Sequence, residues 1–316
     1  MSARRLYGLG IEADAPIAAL LDLPPAPRCD VRWSFRPAGP ESDLVDATWL
    51  EYRRVEESCL RVHHHAGHGM YRMAYDDGTI FVVDADGTHV RAATPSGATL
   101  EDTATYLLGP VMGFVLRLRG VTCLHASAIA IDGRAVAFAG HAGSGKSTLA
   151  AAFARLGHAV LSEDVTALAV DHGVLHVEPS YPCVRLWDES VTALFGAADA
   201  LPLITPNWDK RFLGLARGPH RFEERRLPLA AIYLLGDRSS ERVTTDLDPS
   251  AALMGLVERA YSVHLIDPAM RAREFDVFAR VVEDIPVRAL SLTDELADVS
   301  RWCREIARRH ETHAEV

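Results

Sequence analysis

A nine-residue loop at positions 140–148, with the sequence GHAGSGKST, constrains the fold of this chain more than any other feature. It matches G-x-x-x-x-G-K-[ST], in which glycines let backbone N–H groups turn toward phosphate oxygens and the next helix adds positive charge. An apolar segment precedes the loop, and STLAAAFARL follows it and ends at Gly157. A strand, a phosphate loop and a helix in this order predict an α/β core.

The loop predicts a nucleotide-binding site. Lys146 is expected to reach the β and γ phosphates, and Ser147 is expected to ligate Mg²⁺. The predicted nucleotide-binding residues are Gly140, Ala142, Gly143, Ser144, Gly145, Lys146, Ser147 and Thr148. A glycine turn without a ligand is the alternative, and the flanking strand and helix argue against it.

Two adjacent carboxylates, Glu163 and Asp164, follow the loop helix after one apolar segment. A helix of about ten residues leads about 15 Å away from the loop, and a strand of about five residues returns by about 17 Å. In a right-handed crossover the strand ends beside the loop. One carboxylate can then hold Mg²⁺ while the other takes a proton. A solvated acidic turn is the alternative, and Asp237 is a second candidate for the metal-binding carboxylate.

His125 is placed at the loop by a hairpin argument. If Asp132-Gly133 is a two-residue turn, residues that face each other across the hairpin have numbers that sum to 265. His125 then faces Gly140, the first glycine of the loop. The histidine is either a core residue or a group that positions bound phosphate.

The composition indicates which partners the protein is expected to bind and in which compartment it is expected to lie. The chain has 316 residues and a net charge of −10, which argues against nucleic acid and anionic membranes. The longest apolar run, near Tyr106–Leu118, is too short to span a bilayer, and the N-terminus lacks a signal-peptide core. Five cysteines are scattered without paired spacing, as expected for reduced thiols in a cytoplasmic protein.

Turn and strand patterns divide the chain at about residue 97. Residues 1–97 predict a β-rich domain, with Asp77-Gly78 and Asp86-Gly87 as hairpin turns. Residues 98–316 contain the loop, a helical segment from Leu100 to Leu118, and a proline-rich stretch between Pro179 and Pro228 that is predicted to be irregular. The β-rich domain is expected to present a substrate or to form a homo-oligomer.

Several basic residues and histidines are weaker candidates. Arg185, Lys210 and Arg211 are expected either to contact phosphate and substrate or to form surface ion pairs. A basic patch is formed by Arg217, Arg221, Arg225 and Arg226. It is interpreted either as a binding surface for an acidic peptide or as a solvated loop, and the solvated loop is favoured. The histidines at 63, 64, 65 and 68 suggest a zinc site. Against that interpretation, no acidic or cysteine ligand stands beside them in the sequence.

Residues 123–168, which read CLHASAIAIDGRAVAFAGHAGSGKSTLAAAFARLGHAVLSEDVTAL, resemble the catalytic core of HPr kinase/phosphorylase-related proteins. The fold of that family is akin to phosphoenolpyruvate carboxykinase. The later stretches EPSYPCVRLW, WDKRFLGL and RRLPLAAIYLL resemble a stand-alone branch that includes kinases for a serine of lasso-peptide precursors. The resemblance covers roughly residues 100–316, and YGLGIEADAPIAAL near the N-terminus is similar more weakly.

The resemblance implies an ATP- and Mg²⁺-dependent serine kinase that acts on a peptide or protein. By the same resemblance Lys146 and Ser147 bind phosphate and metal, Asp164 shares the metal, Glu163 is the general base and His125 positions the reacting groups. The chain has Glu163 where the family has aspartate, and it lacks the E-I-R-G-like segment, which argues against HPr as acceptor.

Two other functions stay open from the sequence. One is a kinase for a small hydroxylated metabolite, and the other is a nucleotide-dependent switch that transfers nothing. The guanine-reading motif N-K-x-D is missing, since NWDK has its residues in the wrong order.

Overall fold

The computed structural model describes residues 2–39, 49–55, 60–239, 243–261, 267–293 and 298–311, with the backbone alone for 49–55. The described chain is a mixed α/β structure. It divides into two compact units: Met1–Val121 with His264–Met270 (unit 1), and Thr122–Val263 with Arg271–Val316 (unit 2).

Unit 1 contains a mixed sheet with the strand order β1-β2-β3-β8-β7-β6-β5-β4 among the described residues. Its elements are β1 (Arg4–Leu6), β2 (Leu9–Ala13), α1 (Ala18–Leu21), β3 (Val31–Pro37), β4 (Trp49–Val55), β5 (Leu60–His65), β6 (Tyr71–Tyr75), β7 (Ile80–Val83) and β8 (His89–Thr94). The two predicted Asp-Gly turns join β6 to β7 and β7 to β8, and Gly78 and Gly87 have φ of 89° and 67°. Most of the described elements between Arg4 and Thr94 are strands.

The helical segment predicted from Leu100 to Leu118 also belongs to unit 1. It consists of α2 (Leu100–Tyr106), a π-helical turn (Leu107–Val111) and α3 (Met112–Leu118). Pro110 lies in the π-helical turn, where the missing proline N–H interrupts the regular ladder. None of the described helices has both the length and the apolar character that crossing a lipid bilayer requires.

The division between the units lies later in the chain than the predicted boundary after Gly97. Two contacts tie α2 to the sheet of unit 1. The Tyr106 ring stacks on Tyr75 with centroids 3.9 Å apart, and the Thr94 and Thr103 hydroxyls are 2.9 Å apart. Residues 98–121 therefore pack with the β-rich part, although the Pro-Ser-Gly sequence before them resembles a linker.

Unit 2 carries the loop. Its elements are β9 (Thr122–Ile131), β10 (Arg134–Ala139), α4 (Lys146–Arg155), β11 (Ala159–Ser162), β12 (Val165–Asp171), β13 (Val174–Glu178), β14 (Cys183–Trp187), α5 (Asp188–Phe195), a 3₁₀ turn (Ala198–Ala200), β15 (Lys210–Gly214), β16 (Arg221–Phe222), β17 (Leu227–Leu235), β18 (Val243–Asp246), α6 (Pro249–Glu258), α7 (Pro268–Asp284, which begins in the segment assigned to unit 1), β19 (Val287–Ser291) and α8 (Val299–His310).

Strand β9 organises the sheet of unit 2. One edge of β9 pairs with β10, and the other edge pairs first with β12 and then with β11. Since β10 and β11 are both antiparallel to β9, they run in the same direction with β9 between them. The crossover therefore brings the end of β11 to the loop end of β10, as predicted, but one strand further along the sheet. On its other edge β10 pairs in parallel with β17, which pairs in parallel with β19.

The two faces of β10 are packed differently, and this fixes the loop helix. Val136 and Phe138 point into a core with α4 and α8, where the Phe138 and Phe153 rings are 5.4 Å apart. The alternate alanines of β10, at positions 135, 137 and 139, face a second core that includes Leu256 of α6 and Phe278 of α7. Period-two alternation on a strand buried on both faces thus anchors α4 with its N-terminus at the end of β10.

The stretch between Pro179 and Pro228 is more regular than the sequence predicts. It contains the β14–β15 ribbon, a two-stranded antiparallel sheet in which Arg185 pairs with Phe212 and Trp187 with Lys210. Val184, Leu186 and Leu213 enter the core beside α4 and α5. The prediction failed because the paired strands lie more than 20 residues apart, with no hairpin turn signal between them.

Of the described cysteines, all free, Cys123, Cys183 and Cys303 are buried and Cys29 is exposed; Cys59 lies outside the described residues.

Candidate functional site

The glycine loop, residues 140–148, connects β10 to α4. Gly143 and Gly145 have φ of 77° and 102°, which favour glycine. A Cβ added at Gly140 would lie 2.4 Å from Ser144 Oγ, so the loop closes tightly on itself there. Gly145 is the N-cap of α4, so the unpaired N–H groups and the positive end of the helix dipole lie at the loop.

Lys146, the first residue of α4, is buried and lies across the loop. Its Nζ donates to the carbonyl oxygens of Gly140 and His141, at 2.8 and 2.7 Å. Burial lowers the pKa of Lys146 to about 8, against the opposing effect of the carboxylates at 164 and 163. The ammonium group is therefore held at the loop with little solvation.

The hairpin that carries His125 has the predicted register. Asp132 and Gly133 have positive φ, of 48° and 70°, as a two-residue hairpin turn of type I′ requires. Ile131 pairs with Arg134, and the Gly140 N–H donates to the His125 carbonyl at 3.1 Å. The prediction that His125 faces Gly140 is confirmed.

Glu163 and Asp164 interrupt what would otherwise be one strand along β9. Ser162 pairs with Ala128 and Val165 with His125, so β11 and β12 follow the same edge. Between them the Val165 N–H donates to the Glu163 carbonyl at 2.9 Å, and Asp164 has φ of 70°, which describes a γ-turn. Neighbouring side chains of a regular strand point to opposite faces. The turn removes that alternation, and both carboxylates reach the loop region.

The Glu163 carboxylate lies against the start of α4. Ser147 Oγ donates to its Oε1 at 2.7 Å, and Arg185 Nε donates to its Oε2 at 3.2 Å. The Glu163 side chain is only 4% exposed.

The Asp164 carboxylate lies on the histidine side of the site. Its Oδ1 is 3.3 Å from His125 Nε2, and its Oδ2 accepts from Arg185 Nη2 at 3.1 Å and from the Tyr261 hydroxyl at 3.0 Å. Asp164 and His125 are 23% and 27% exposed. Burial alone would raise the pKa of Asp164, but the His125 hydrogen bond and the Arg185 charge outweigh it, and the pKa lies well below its usual range.

These groups line a cavity of about 430 Å³. The loop and helix contribute Ala142, Gly143, Gly145, Lys146, Ser147 and Thr148, and the catalytic candidates His125, Glu163 and Asp164 line the cavity as well. The structure thus brings the predicted site residues together, with Gly140 and Ser144 inside the loop. The volume of the cavity and the polar groups that converge on it suit a small-molecule site.

Two of the three basic candidates reach the cavity. Arg185 bridges both carboxylates with its Nε and Nη2 atoms, and Lys210 also lines the cavity. Arg211 does not line the cavity, because it faces the other side of the ribbon and pairs with Asp188 at 2.8 Å. Asp237, the alternative carboxylate, is exposed and outside the lining.

The weaker alternatives receive no support from the described residues. Arg225 pairs with Glu223, and Arg226 pairs with Asp171. Among the described residues no group of three or more His, Cys, Asp and Glu side chains is arranged to hold a metal ion, which includes the histidines at 63, 64, 65 and 68.

The sequence did not single out several residues of the site. Tyr261 lies 97 positions after Asp164, and no local pattern marks it. Arg238 follows the carboxyl end of β17, the strand beside β10, and that position was a usable signal because ligands bind at such strand ends. Trp187, Glu189 and Ser190 also line the cavity, and they come from the segment that was predicted to be irregular.

Comparisons with known proteins give little beyond this geometry. No family model and no curated protein matches the sequence. Among solved structures, the HPr(Ser) kinase/phosphatase from Coxiella burnetii is 14% identical, over 59% of this chain and 91% of that chain, with a TM-score of 0.29. At that TM-score the two chains are not shown to share a fold.

Proposed function

We propose that this protein is an ATP-dependent phosphotransferase that phosphorylates a hydroxyl group. The observation that carries the proposal is the 2.7 Å hydrogen bond between Ser147 Oγ and Glu163 Oε1. It joins a loop with phosphate-binding spacing to a pair of carboxylates that the chain folds back to meet it. A loop that only binds Mg·nucleotide needs one such carboxylate, and the second, Asp164 beside His125, is left to act on an acceptor.

The geometry of the loop suits the phosphates of a nucleoside triphosphate. Gly140 leaves no room for a side chain, and the buried Oγ of Ser144 has no hydrogen-bond partner among the described residues. Lys146 presents a desolvated charge beside the first N–H groups of α4. Together these groups supply donors and positive charge for phosphate oxygens.

The oxygen ligands near Ser147 fit Mg²⁺. A hydroxyl and one or two carboxylates are the usual protein share of a magnesium site, in which phosphates and water complete the shell. Ser147 and Glu163 offer oxygens on the same side of the site, with Asp164 adjacent.

The geometry favours a different division of roles between the carboxylates than the resemblance implies. Glu163 is nearly inaccessible and contacts Ser147, so we assign it to the metal side. Asp164 and His125 are each about a quarter exposed and contact each other. ATP supplies the terminal phosphoryl group to the acceptor oxygen with release of ADP, and the acceptor proton passes to the Asp164–His125 pair.

The acceptor is proposed to be a serine of a peptide or protein, of the precursor-peptide type. This part rests on the sequence resemblance over residues 100–316. A cytoplasmic location, the absence of nucleic-acid and membrane partners, and a substrate-presenting or dimerising role for the N-terminal part stay predictions.

The direct test is transfer itself. Purified protein, Mg·ATP and panels of serine-containing peptides or small hydroxylated metabolites are incubated, and mass spectrometry detects the gain of one phosphate. We expect transfer to a peptide, and no transfer by Lys146→Met. If ATP binds and no acceptor is modified, while ATP is not hydrolysed, a nucleotide-binding module is the better description.

The lowered pKa of Lys146 predicts a pH dependence of nucleotide affinity. Phosphate binds the protonated amine, and in the free protein the amine loses its proton around pH 8. Affinity for Mg·ATP should therefore fall about tenfold between pH 7 and pH 9. Isothermal titration at a series of pH values measures it, and Lys146→Met, which has no ionisable group there, should bind weakly with a flat profile. A flat wild-type profile would contradict the role of Lys146.

A further inference from the structure

Trp187 is an exposed aromatic side chain in the wall of the cavity, and the function proposed above gives it no role. It is 54% exposed, although tryptophan is highly buried on average. It ends β14 on the ribbon face that carries Arg185, whereas Val184 and Leu186 on the opposite face are buried in the core. Val184 and Leu186 therefore anchor the ribbon to the core, and Trp187 lies on its exposed face at the cavity.

The indole is held in place by its neighbours. Lys210 is its partner in the ribbon register, and Lys210 Nζ lies 4.9 Å from the ring centroid, a cation–π contact. Helix α5 begins at the next residue, Asp188, so the backbone of Trp187 is fixed between a strand and a helix. A ring fixed in this way loses little conformational entropy when a ligand packs on it.

A direct hydrogen bond links the Trp187 segment to the glycine loop. Ser190, in the first turn of α5, and Thr148, in the first turn of α4, have hydroxyls 2.8 Å apart. Both residues line the cavity together with Trp187. The phosphate-binding end and the indole thus belong to one connected wall.

We propose that Trp187 is the surface on which the base of the bound nucleotide stacks. The inference rests on the proposed function and adds the base subsite to it. A nucleotide joins a polyanion to a flat heteroaromatic ring. Lys146 and the loop suit the polyanion, and Trp187 offers a flat aromatic face. The His125 ring also lines the cavity, but it is engaged with Asp164 and packs edge-on to Tyr261 at 5.6 Å.

The test compares two ligands that share the phosphates and differ in the base. Titration calorimetry of the full-length protein measures Mg·ATP and Mg·tripolyphosphate. Stacking of a base on an aromatic side chain predicts that Trp187→Ala weakens ATP binding roughly 5- to 150-fold, with tripolyphosphate affinity unchanged within about twofold. Trp187→Phe should retain most of the ATP affinity.

Phe212→Ala is the matched control. Phe212 is 38% exposed and lies on the same face of the ribbon, opposite Arg185, but it does not line the cavity. It should change neither affinity. Unaltered ATP affinity in Trp187→Ala, or an equal loss for both ligands, overturns the inference. Failure of the wild-type protein to bind either ligand would instead refute the proposed function.

Discussion

Asp164→Asn is expected to lower the rate of phosphoryl transfer by about 10²- to 10⁴-fold, the usual contribution of a positioned acid–base group. Asparagine keeps the size of the side chain but removes the charge that holds the His125 imidazole and the Arg185 guanidinium. The proton of the acceptor hydroxyl then has no ionised carboxylate to receive or relay it. Nucleotide affinity should stay within a few fold, because the loop donors are untouched.

Single-turnover transfer and calorimetric ATP binding, measured on the same preparations, separate these effects. Glu163→Gln is the companion variant. If Glu163 serves the metal side through Ser147, its loss should raise the Mg²⁺ concentration needed for tight ATP binding, which Asp164→Asn should alter less. His125→Gln should reduce transfer without that shift in Mg²⁺ dependence. Wild-type turnover by Asp164→Asn would refute our assignment, and an unchanged Mg²⁺ requirement in Glu163→Gln would return Glu163 to the role of base that the sequence resemblance implies.

Arg185→Ala is expected to destabilise the fold by about 3 kcal/mol, because breaking a buried ion pair leaves its partner charge uncompensated. Arg185 is buried and bridges Glu163 and Asp164. Among the described ion pairs, the other basic partner of these two carboxylates is His125, which lies 3.3 Å from Asp164. Urea denaturation followed by circular dichroism measures the loss. Arg185→Lys should lose less, since it keeps a charge but not the two-pronged geometry.

The stability difference between wild type and Arg185→Ala should depend on pH in a definite direction. The pKa of Asp164 is depressed in the folded protein, so its pairing stabilises the fold above its unfolded value of 3.8 and is lost as the pH falls through the folded pKa. The stability gap between wild type and Arg185→Ala should therefore be full near pH 7 and narrow below about pH 4. Arg211→Ala, in a more exposed ion pair on the neighbouring strand, is the control and should change stability little. Equal denaturation midpoints for wild type and Arg185→Ala would contradict the structural role of the bridge.

Local geometry explains which parts of the site were predictable. The turn at Asp132-Gly133 needs positive φ at both residues, and once the turn is fixed the register that sets His125 against Gly140 follows by counting. The glycine and lysine spacing of the loop and the alanine-rich composition of α4 likewise predicted the local structure of residues 140–155. The return of the chain to the loop followed from the lengths of the helix and strand and from the right-handed crossover, and neither depends on which strand lies between β10 and β11.

The sequence could not supply the contacts made between distant segments. The pairing of Cys183–Trp187 with Lys210–Gly214 has no turn signal, so the ribbon that carries Arg185 and Trp187 was interpreted as irregular. The boundary between units was displaced for the same reason: packing of α2 on the strands outweighed the linker-like composition before it.

By itself, the sequence determined the strand, loop and helix at residues 134–155, the hairpin before them and the arrival of two acidic residues at the loop, because each depends on neighbours within a few turns of chain. Only the tertiary structure decided how those acidic residues are used. The γ-turn at Asp164 points both carboxylates into one cavity, and Arg185, Tyr261 and Ser147 then give each a different set of partners. Burial by segments far apart in the chain sets the accessibility of both carboxylates, while the His125 hydrogen bond and the Arg185 charge depress the pKa of Asp164. No local pattern of residues contains that information.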